Sequence, residues 1–201
     1  MRVVAVEDRL EHYVVWHCAA LESSEYASLI PHQDGYELRG TAVFPLEGVP
    51  CLIEYEVAVD LGWSAVSADA MVSTPEGVGR IRLTSEGSGR WTLGGQAAPH
   101  LAGCTDLDLG WTPATNTVPI RRLDPEIGES VAIIAAWIRV PELDVVANDQ
   151  RYTRLAADRW RYRSGDYDFE LLTDVSSGLV LEYGEDLWRA AATSSHPVTQ
   201  E

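Results

Sequence analysis

The sequence predicts an all-β protein with few short helices, in which ten or more antiparallel strands form a barrel, a half-barrel or a sandwich. Apolar and polar residues alternate over several stretches. The clearest runs from Ile53 to Leu61, where Glu54, Glu56 and Asp60 lie between apolar side chains. Gly, Pro, Asn, Asp and Ser residues separate these stretches at short intervals. Such close reversals are typical of a meander.

The first half of the chain contains seven predicted strands. Pro31 and the turn after it end the second strand, and the Pro75-Glu76-Gly77 turn separates the fifth from the sixth. The predicted strands are 13–20, 26–30, 36–44, 53–61, 65–72, 79–83 and 91–93.

The second half contains a segment, 131–138, that is apolar at every position, so periodicity alone does not separate a buried strand from a helix. Its β-branched and aromatic residues favour a strand, which Pro141 ends. Residues 185–192 form either a last strand or a short terminal helix. We expect one domain over 1–192 and a frayed tail over 193–201. The remaining predicted strands are 150–155, 159–163, 167–172, 179–183 and 188–191.

Composition limits the partners. With 31 acidic and 15 basic residues, the formal charge is −16, which repels phosphate backbones, so no nucleic-acid partner is predicted. No apolar run is long enough to span a bilayer, so no integral membrane segment is predicted. The first twenty residues lack the pattern of an export signal, and three scattered cysteines do not make a disulfide framework. These features predict a cytoplasmic protein.

A polar segment lies between the two halves. Asp106 and Asp108 are two residues apart, so on an extended backbone their carboxylates share one face, with Cα atoms roughly 6.5–7 Å apart. Residues 112–119 contain two prolines and several Thr and Asn side chains, which predict an ordered loop. Arg121 and Arg122 come next, and both are suited to bidentate recognition of carboxylate or phosphate.

This segment and the second half of the chain resemble the putative glycolipid-binding family over about residues 90–190. The motifs that carry the resemblance are 103–109 (GCTDLDL), 112–123 (TPATNTVPIRRL), Trp137 with Pro141 and Leu143, 150–152 (QRY), Tyr162, Phe169, 178–180 (GLV) and Tyr183.

The resemblance implies a large antiparallel sheet that curls into a half-barrel with an apolar concave face, like that of the bacterial periplasmic lipoprotein carriers. It implies binding of a lipid or glycolipid without chemistry, and it brings no catalytic residue and no cofactor. The seven Trp and eight Tyr residues then either fill a core or line a ligand cavity.

The predicted ligand-binding residues combine the polar segment with neighbouring motif residues. In this interpretation the apolar strand faces hold an acyl chain, and the polar side chains contact a hydroxylated head group. The predicted residues are Asp106, Asp108, Thr115, Asn116, Arg121, Arg122, Trp137, Gln150 and Tyr152.

Three other interpretations stay open. Asp106 and Asp108 could instead form ion pairs and turn caps with the two arginines, which would lower the pKa of both carboxyls, or act as a catalytic pair on a sugar-like or hydroxylated substrate. A third possibility is a scaffold for protein contacts through an edge strand. His100 and Cys104 have ligand spacing, but no second pair accompanies them, so no metal site is predicted.

Overall fold

The computed structural model describes residues 10–184 and 187–197, and they form one fifteen-stranded sheet. The strands of the first half are β1 (Leu10–Cys18), β2 (Ser23–His32), β3 (Gly35–Leu46), β4 (Val49–Asp60), β5 (Ala65–Thr74), β6 (Gly77–Gly87), β7 (Arg90–Leu93) and β8 (Gln96–Ala97). Those of the second half are β9 (Asp106–Leu109), β10 (Ser130–Ile138), β11 (Val145–Arg154), β12 (Arg159–Ser164), β13 (Tyr167–Thr173), β14 (Val180–Tyr183) and β15 (Trp188–Pro197). Between the halves lie two 3-10 turns and one helix: Pro99–Leu101, Ala114–Asn116 and α1 (Thr117–Leu123).

The sheet consists of two meanders that join through their outermost strands. Its order is β8-β7-β6-β5-β4-β3-β2-β1-β15-β14-β13-β12-β11-β10-β9, and the neighbours are antiparallel except for β9 and β10, which are parallel. The first and last strands of the chain therefore pair in the middle of the sheet, while β8 and β9, which are consecutive in sequence, lie at its two edges.

The short connection between these edges forces the sheet to curl. Residues 98–105 join β8 to β9, and eight residues span at most about 30 Å. Hydrogen bonds fix this bridge to both halves: Gly103 N–H donates to the Gly89 carbonyl at 2.9 Å, and Thr105 N–H donates to the Ile134 carbonyl at 2.8 Å. The sheet stays unclosed, so the predicted all-β half-barrel is confirmed.

The concave face of the sheet is filled by the protein's own chain. Alternate residues of β4 are buried, as the period-two pattern predicts. They belong to the same apolar cluster as the segment between the two halves, whose buried members include Leu101, Leu107, Leu109, Trp111 and Val118. The segment that the sequence singled out therefore packs inside the half-barrel.

Two local predictions were wrong. The loop expected over 112–119 is instead a 3-10 turn that leads into α1. Pro119 is the third residue of α1, where the backbone N–H has no partner within a helix, so proline is tolerated there. At the C-terminus, the strand predicted over 188–191 is present and continues to Pro197, so its last five residues pair with β1 where a frayed tail was expected. Residues 185, 186 and 198–201 lie outside the described residues.

Three further features concern membrane insertion, cysteine oxidation and metal binding. No helix in the described ranges is long and apolar enough to cross a membrane. Cys18, Cys51 and Cys104 are buried free thiols. Within residues 10–184 and 187–197, no three His, Cys, Asp or Glu side chains are grouped so as to hold a metal ion.

Candidate ligand-binding site

Asp108 is the centre of a hydrogen-bonded network that joins three segments. Its Oδ1 accepts a hydrogen bond from the Thr115 hydroxyl at 2.9 Å, and its Oδ2 accepts one from the Gln150 amide at 2.7 Å. The Thr115 hydroxyl also accepts a hydrogen bond from the backbone N–H of Leu109 at 3.2 Å. The carboxylate is therefore positioned by β9, by the turn before α1 and by β11.

Tyr152 and Asn116 extend this network into the core. The Tyr152 hydroxyl donates to Asn116 Oδ1 at 2.8 Å and lies 3.4 Å from Gln150 Oε1. Asn116 Nδ2 donates to the Pro113 carbonyl at 3.2 Å. Five predicted site residues thus lie in one connected network: Asp108, Thr115, Asn116, Gln150 and Tyr152.

Asp106 lies on the same strand as Asp108 but has different partners. Arg122 donates to it through both arms of its guanidinium, from Nε to Oδ1 at 3.2 Å and from Nη2 to Oδ2 at 2.5 Å. The Thr105 hydroxyl donates to Oδ2 at 2.7 Å. Asp106 is 1 % exposed, so this fork ties α1 to β9 through a buried ion pair.

Arg121 does not join the two aspartates. Its Nη1 donates to the Ser176 carbonyl at 3.1 Å, and its guanidinium lies over the Trp63 ring, 5.2 Å from the centroid. Successive residues of a helix point about 100° apart, so Arg121 and Arg122 leave α1 in different directions. Of the two arginines that could pair with the aspartates, only Arg122 does so, because α1 lies where a loop was expected.

The expected lowering of the pKa of Asp108 was also wrong. Burial raises the pKa of this carboxyl, and the hydrogen bonds from Thr115 and Gln150 oppose this rise without cancelling it. No arginine among the described residues donates to Asp108, since Arg122 is engaged by Asp106.

A cavity of about 670 Å³ borders this network, within the range of small-molecule sites. Of the predicted residues, Asp108, Asn116 and Trp137 line it, whereas Asp106 does not. A two-carboxylate mechanism needs both groups at the substrate, so this geometry does not favour the catalytic pair. This cavity is named the aromatic cavity, because its walls include Trp137, Tyr162, Tyr167, Phe169, Tyr183 and Trp188.

A row of aromatic rings connects the network to the cavity mouth. The ring centroids of Tyr152 and Tyr162 are 5.2 Å apart, those of Tyr162 and Tyr183 are 6.0 Å apart, and those of Tyr183 and Phe169 are 5.4 Å apart. Tyr167 ends the row, 5.8 Å from Phe169, and is 59 % exposed. Tyr162, Tyr183, Phe169 and Tyr167 are not among the residues predicted to bind the ligand. Tyr162 and Phe169 are cross-strand partners on β12 and β13.

A second cavity, of about 610 Å³, adjoins the first. The two share Leu21 and Gly110 in their linings, and Leu21 is 48 % exposed. We call it the Trp111 cavity, and its walls include Ser23, Phe44, Leu46, Trp111 and Val140. Sequence analysis assigned no site role to any of these residues.

Glu25 is a buried acid that sequence analysis also missed. Its Oε1 accepts hydrogen bonds from the Tyr55 hydroxyl and, at 2.7 Å, from the Thr112 hydroxyl. Burial raises the pKa of Glu25 to about 7. Because Thr112 lines the aromatic cavity and Trp111 lines the other, Glu25 fixes the segment between the two cavities to strand β2.

Tyr55 reaches Glu25 by crossing β3 at Gly40. In the register of the sheet, Gly40 lies between Ala27 of β2 and Tyr55 of β4. A Cβ atom at position 40 would lie 2.3–2.4 Å from three atoms of Tyr55. Glycine is needed here because only a residue without a side chain leaves room for the Tyr55 ring.

We therefore expect Gly40→Ala to lower the free energy of unfolding by about 1–3 kcal/mol, since it forces Tyr55 away from Glu25. Urea unfolding measures the change. In a Tyr55→Leu background, the same substitution should cost much less. An equal cost in both backgrounds would contradict the clash.

The sequence profile of the family described as "Putative glycolipid-binding" matches residues 13–190. The chain belongs to this family. The match begins within β1 and covers both meanders, whereas the sequence motifs that resemble the family lie only within about residues 90–190.

A crystal structure of a DUF1089 family protein from Pseudomonas aeruginosa is similar to the chain. The sequence identity is 32 % and the TM-score is 0.74, with 81 % of this chain and 90 % of that chain covered. No curated protein matches the chain. In this member of the glycolipid-binding family, Trp137, Tyr162, Phe169 and Tyr183 line the aromatic cavity.

Proposed function

We propose that the protein binds a glycolipid and holds its sugar head group in the aromatic cavity. The observation that carries the proposal is the composition of the cavity wall, where six aromatic side chains stand beside Asp108, Asn116 and Asn148. Aromatic faces bury the C–H surface of a sugar ring, and carboxylate and amide groups bond its hydroxyls.

Asp108 has free capacity for ligand hydroxyls. A carboxylate offers about four lone-pair sites, and each oxygen of Asp108 accepts one side-chain hydrogen bond, from Thr115 or Gln150. In this proposal Asp108, Asn116 and Trp137 contact the head group. The other three network residues, Thr115, Gln150 and Tyr152, hold these contacts in place, and the Asp106–Arg122 pair ties β9 to α1 beside them.

Charge favours an uncharged head group. None of the described residues that line the aromatic cavity is Lys or Arg, whereas Asp108 and Asp166 both line it. The chain as a whole carries a formal charge of −16. A phosphate group would be repelled locally and at long range.

Calorimetric titration tests this proposal with two single-chain probes below their critical micelle concentrations. We expect saturable binding of octyl β-d-glucoside, which has a neutral sugar head, and none of octyl phosphate. Native mass spectrometry of the gently purified protein should show a bound glycolipid mass. Preference for octyl phosphate, or binding of neither probe, would contradict the proposal.

Tyr167→Ala should weaken octyl β-d-glucoside binding by about tenfold, because it removes an aromatic wall at the cavity mouth. Tyr26→Ala is the matched control, since Tyr26 also lies on a strand, is 53 % exposed and lines neither cavity. Both variants should keep the thermal stability of the wild type to within a few degrees. Equal affinities in the two variants would place the head group elsewhere.

A further inference from the structure

The Trp111 cavity has two buried polar side chains in its wall that are unpaired within the described residues. They are the Ser23 hydroxyl and the Trp111 indole N–H, and the two residues are 1 % and 3 % exposed. Folded proteins pair nearly all buried polar atoms, because an unpaired donor loses its hydrogen bond to water without replacement. Because both residues line this cavity, a ligand that supplies an acceptor there would pair the two donors.

The other lining residues restrict the chemistry of that acceptor. Phe44, Leu46 and Val140 make the wall apolar, and Glu22 and Glu47 are its charged members. None of the described lining residues is Lys or Arg, so an anionic acceptor such as phosphate is disfavoured. A carbonyl oxygen is uncharged and has two lone pairs, which suits two donors in an apolar wall.

The Trp111 cavity lies next to the aromatic cavity, which is the proposed head-group site. Both cavities include Leu21 and Gly110 in their linings, so they are neighbours, and a molecule that extended past these two residues would contact both. A sugar in the aromatic cavity would place the group that links it to its hydrocarbon chain beside the Trp111 cavity.

We infer that the Trp111 cavity is an acyl subsite, which binds the carbonyl group that joins a sugar to a fatty chain. Trp111 and Ser23 donate hydrogen bonds to this carbonyl, and Phe44, Leu46 and Val140 contact the chain. The inference rests on the proposed function and adds the linkage class of the ligand. Neighbouring atoms cover both donor atoms, so a small rotation of each side chain must accompany binding.

Two probes that differ only in the carbonyl test the subsite: 6-O-octanoyl-d-glucose, an ester, and 6-O-octyl-d-glucose, its ether. We expect the wild-type protein to bind the ester about tenfold more tightly than the ether. Trp111→Phe and Ser23→Ala should each weaken ester binding toward that of the ether and leave ether binding unchanged.

Trp160→Phe is the matched control for Trp111→Phe, because Trp160 is a buried tryptophan that lines neither cavity. It should bind the ester as the wild type does, and thermal unfolding should show all three variants folded. Any of three results would overturn the acyl subsite. The wild type binds ester and ether equally, the wild type does not bind the ester, or both cavity variants bind the ester as the wild type does. The octyl β-d-glucoside titration reports on the proposed function separately, since that probe has no carbonyl.

Discussion

Replacing Arg122 with methionine lowers the free energy of unfolding by about 3–5 kcal/mol, because it leaves a buried carboxylate without its charged partner. Asp106 is 1 % exposed, and apart from Arg122 its side chain accepts a hydrogen bond from the Thr105 hydroxyl. Arg122 is 24 % exposed through its side chain, so methionine retains much of the packing of the aliphatic part. Urea unfolding at pH 7 measures the difference.

Arg161→Met is the control for this substitution. Arg161 forms the same two-armed fork with Asp168, at 2.6 and 2.7 Å, but both side chains are 43 % exposed. Loss of this surface pair should cost less than about 1 kcal/mol. Comparable losses in the two variants would contradict a structural role for the buried pair. Adding Asp106→Leu to Arg122→Met should recover part of the stability, because the uncompensated charge is removed.

Replacing Glu25 with glutamine stabilises the protein by about 3 kcal/mol at pH 8 and changes its stability little at pH 4. The pKa of Glu25 rises from its ordinary value of 4.5 to about 7 in the folded protein, chiefly through burial. Glutamine keeps an Oε1 that accepts from Tyr55 and Thr112, but it never carries the buried charge.

The direction of this effect comes from the proton balance. The folded protein holds the Glu25 proton more tightly than the unfolded chain does, so this group penalises folding as the pH rises from about 4.5 to about 7. Below that window both states are protonated and the penalty is absent. Above it the full penalty applies, at about 1.4 kcal/mol per pKa unit.

Urea unfolding of the wild type and Glu25→Gln at pH 4 and pH 8 measures this effect, because the difference between the two proteins cancels the contribution of other carboxyls. Glu54→Gln is the control, since Glu54 is exposed on β4 next to Tyr55. We expect the control to change stability by less than about 0.5 kcal/mol at either pH. A stability difference that is equal at both pH values would exclude a titrating Glu25.

The strands could be predicted from the sequence because their signal is local. Ile53, Tyr55, Val57 and Val59 alternate with polar or small residues, and the same four side chains are buried on one face of β4. The motif between Gly103 and Leu123 likewise indicated the family by residue identity alone, and Asp106 and Asp108 share one strand as their spacing predicted.

The contacts of Glu25 could not be predicted in this way. Its partners Tyr55 and Thr112 are 30 and 87 residues away in sequence, and the first contact also needs a glycine on the strand between them. In the sequence, Glu25 comes directly after two serines and reads as part of an exposed turn before the second predicted strand. The sheet register, rather than any local pattern, buries it.

The sequence by itself determined the all-β class, the strands and the family, because residue periodicity and motif identity are properties of neighbouring residues. The tertiary structure alone decided that Arg122 pairs with Asp106 while Arg121 contacts Trp63, since this depends on the direction in which α1 presents each side chain. It also decided that the concave face is filled and that two cavities remain beside the filling segment. The arginine contacts, the filled concave face and the two cavities all result from packing between residues far apart in the chain, which no local pattern encodes.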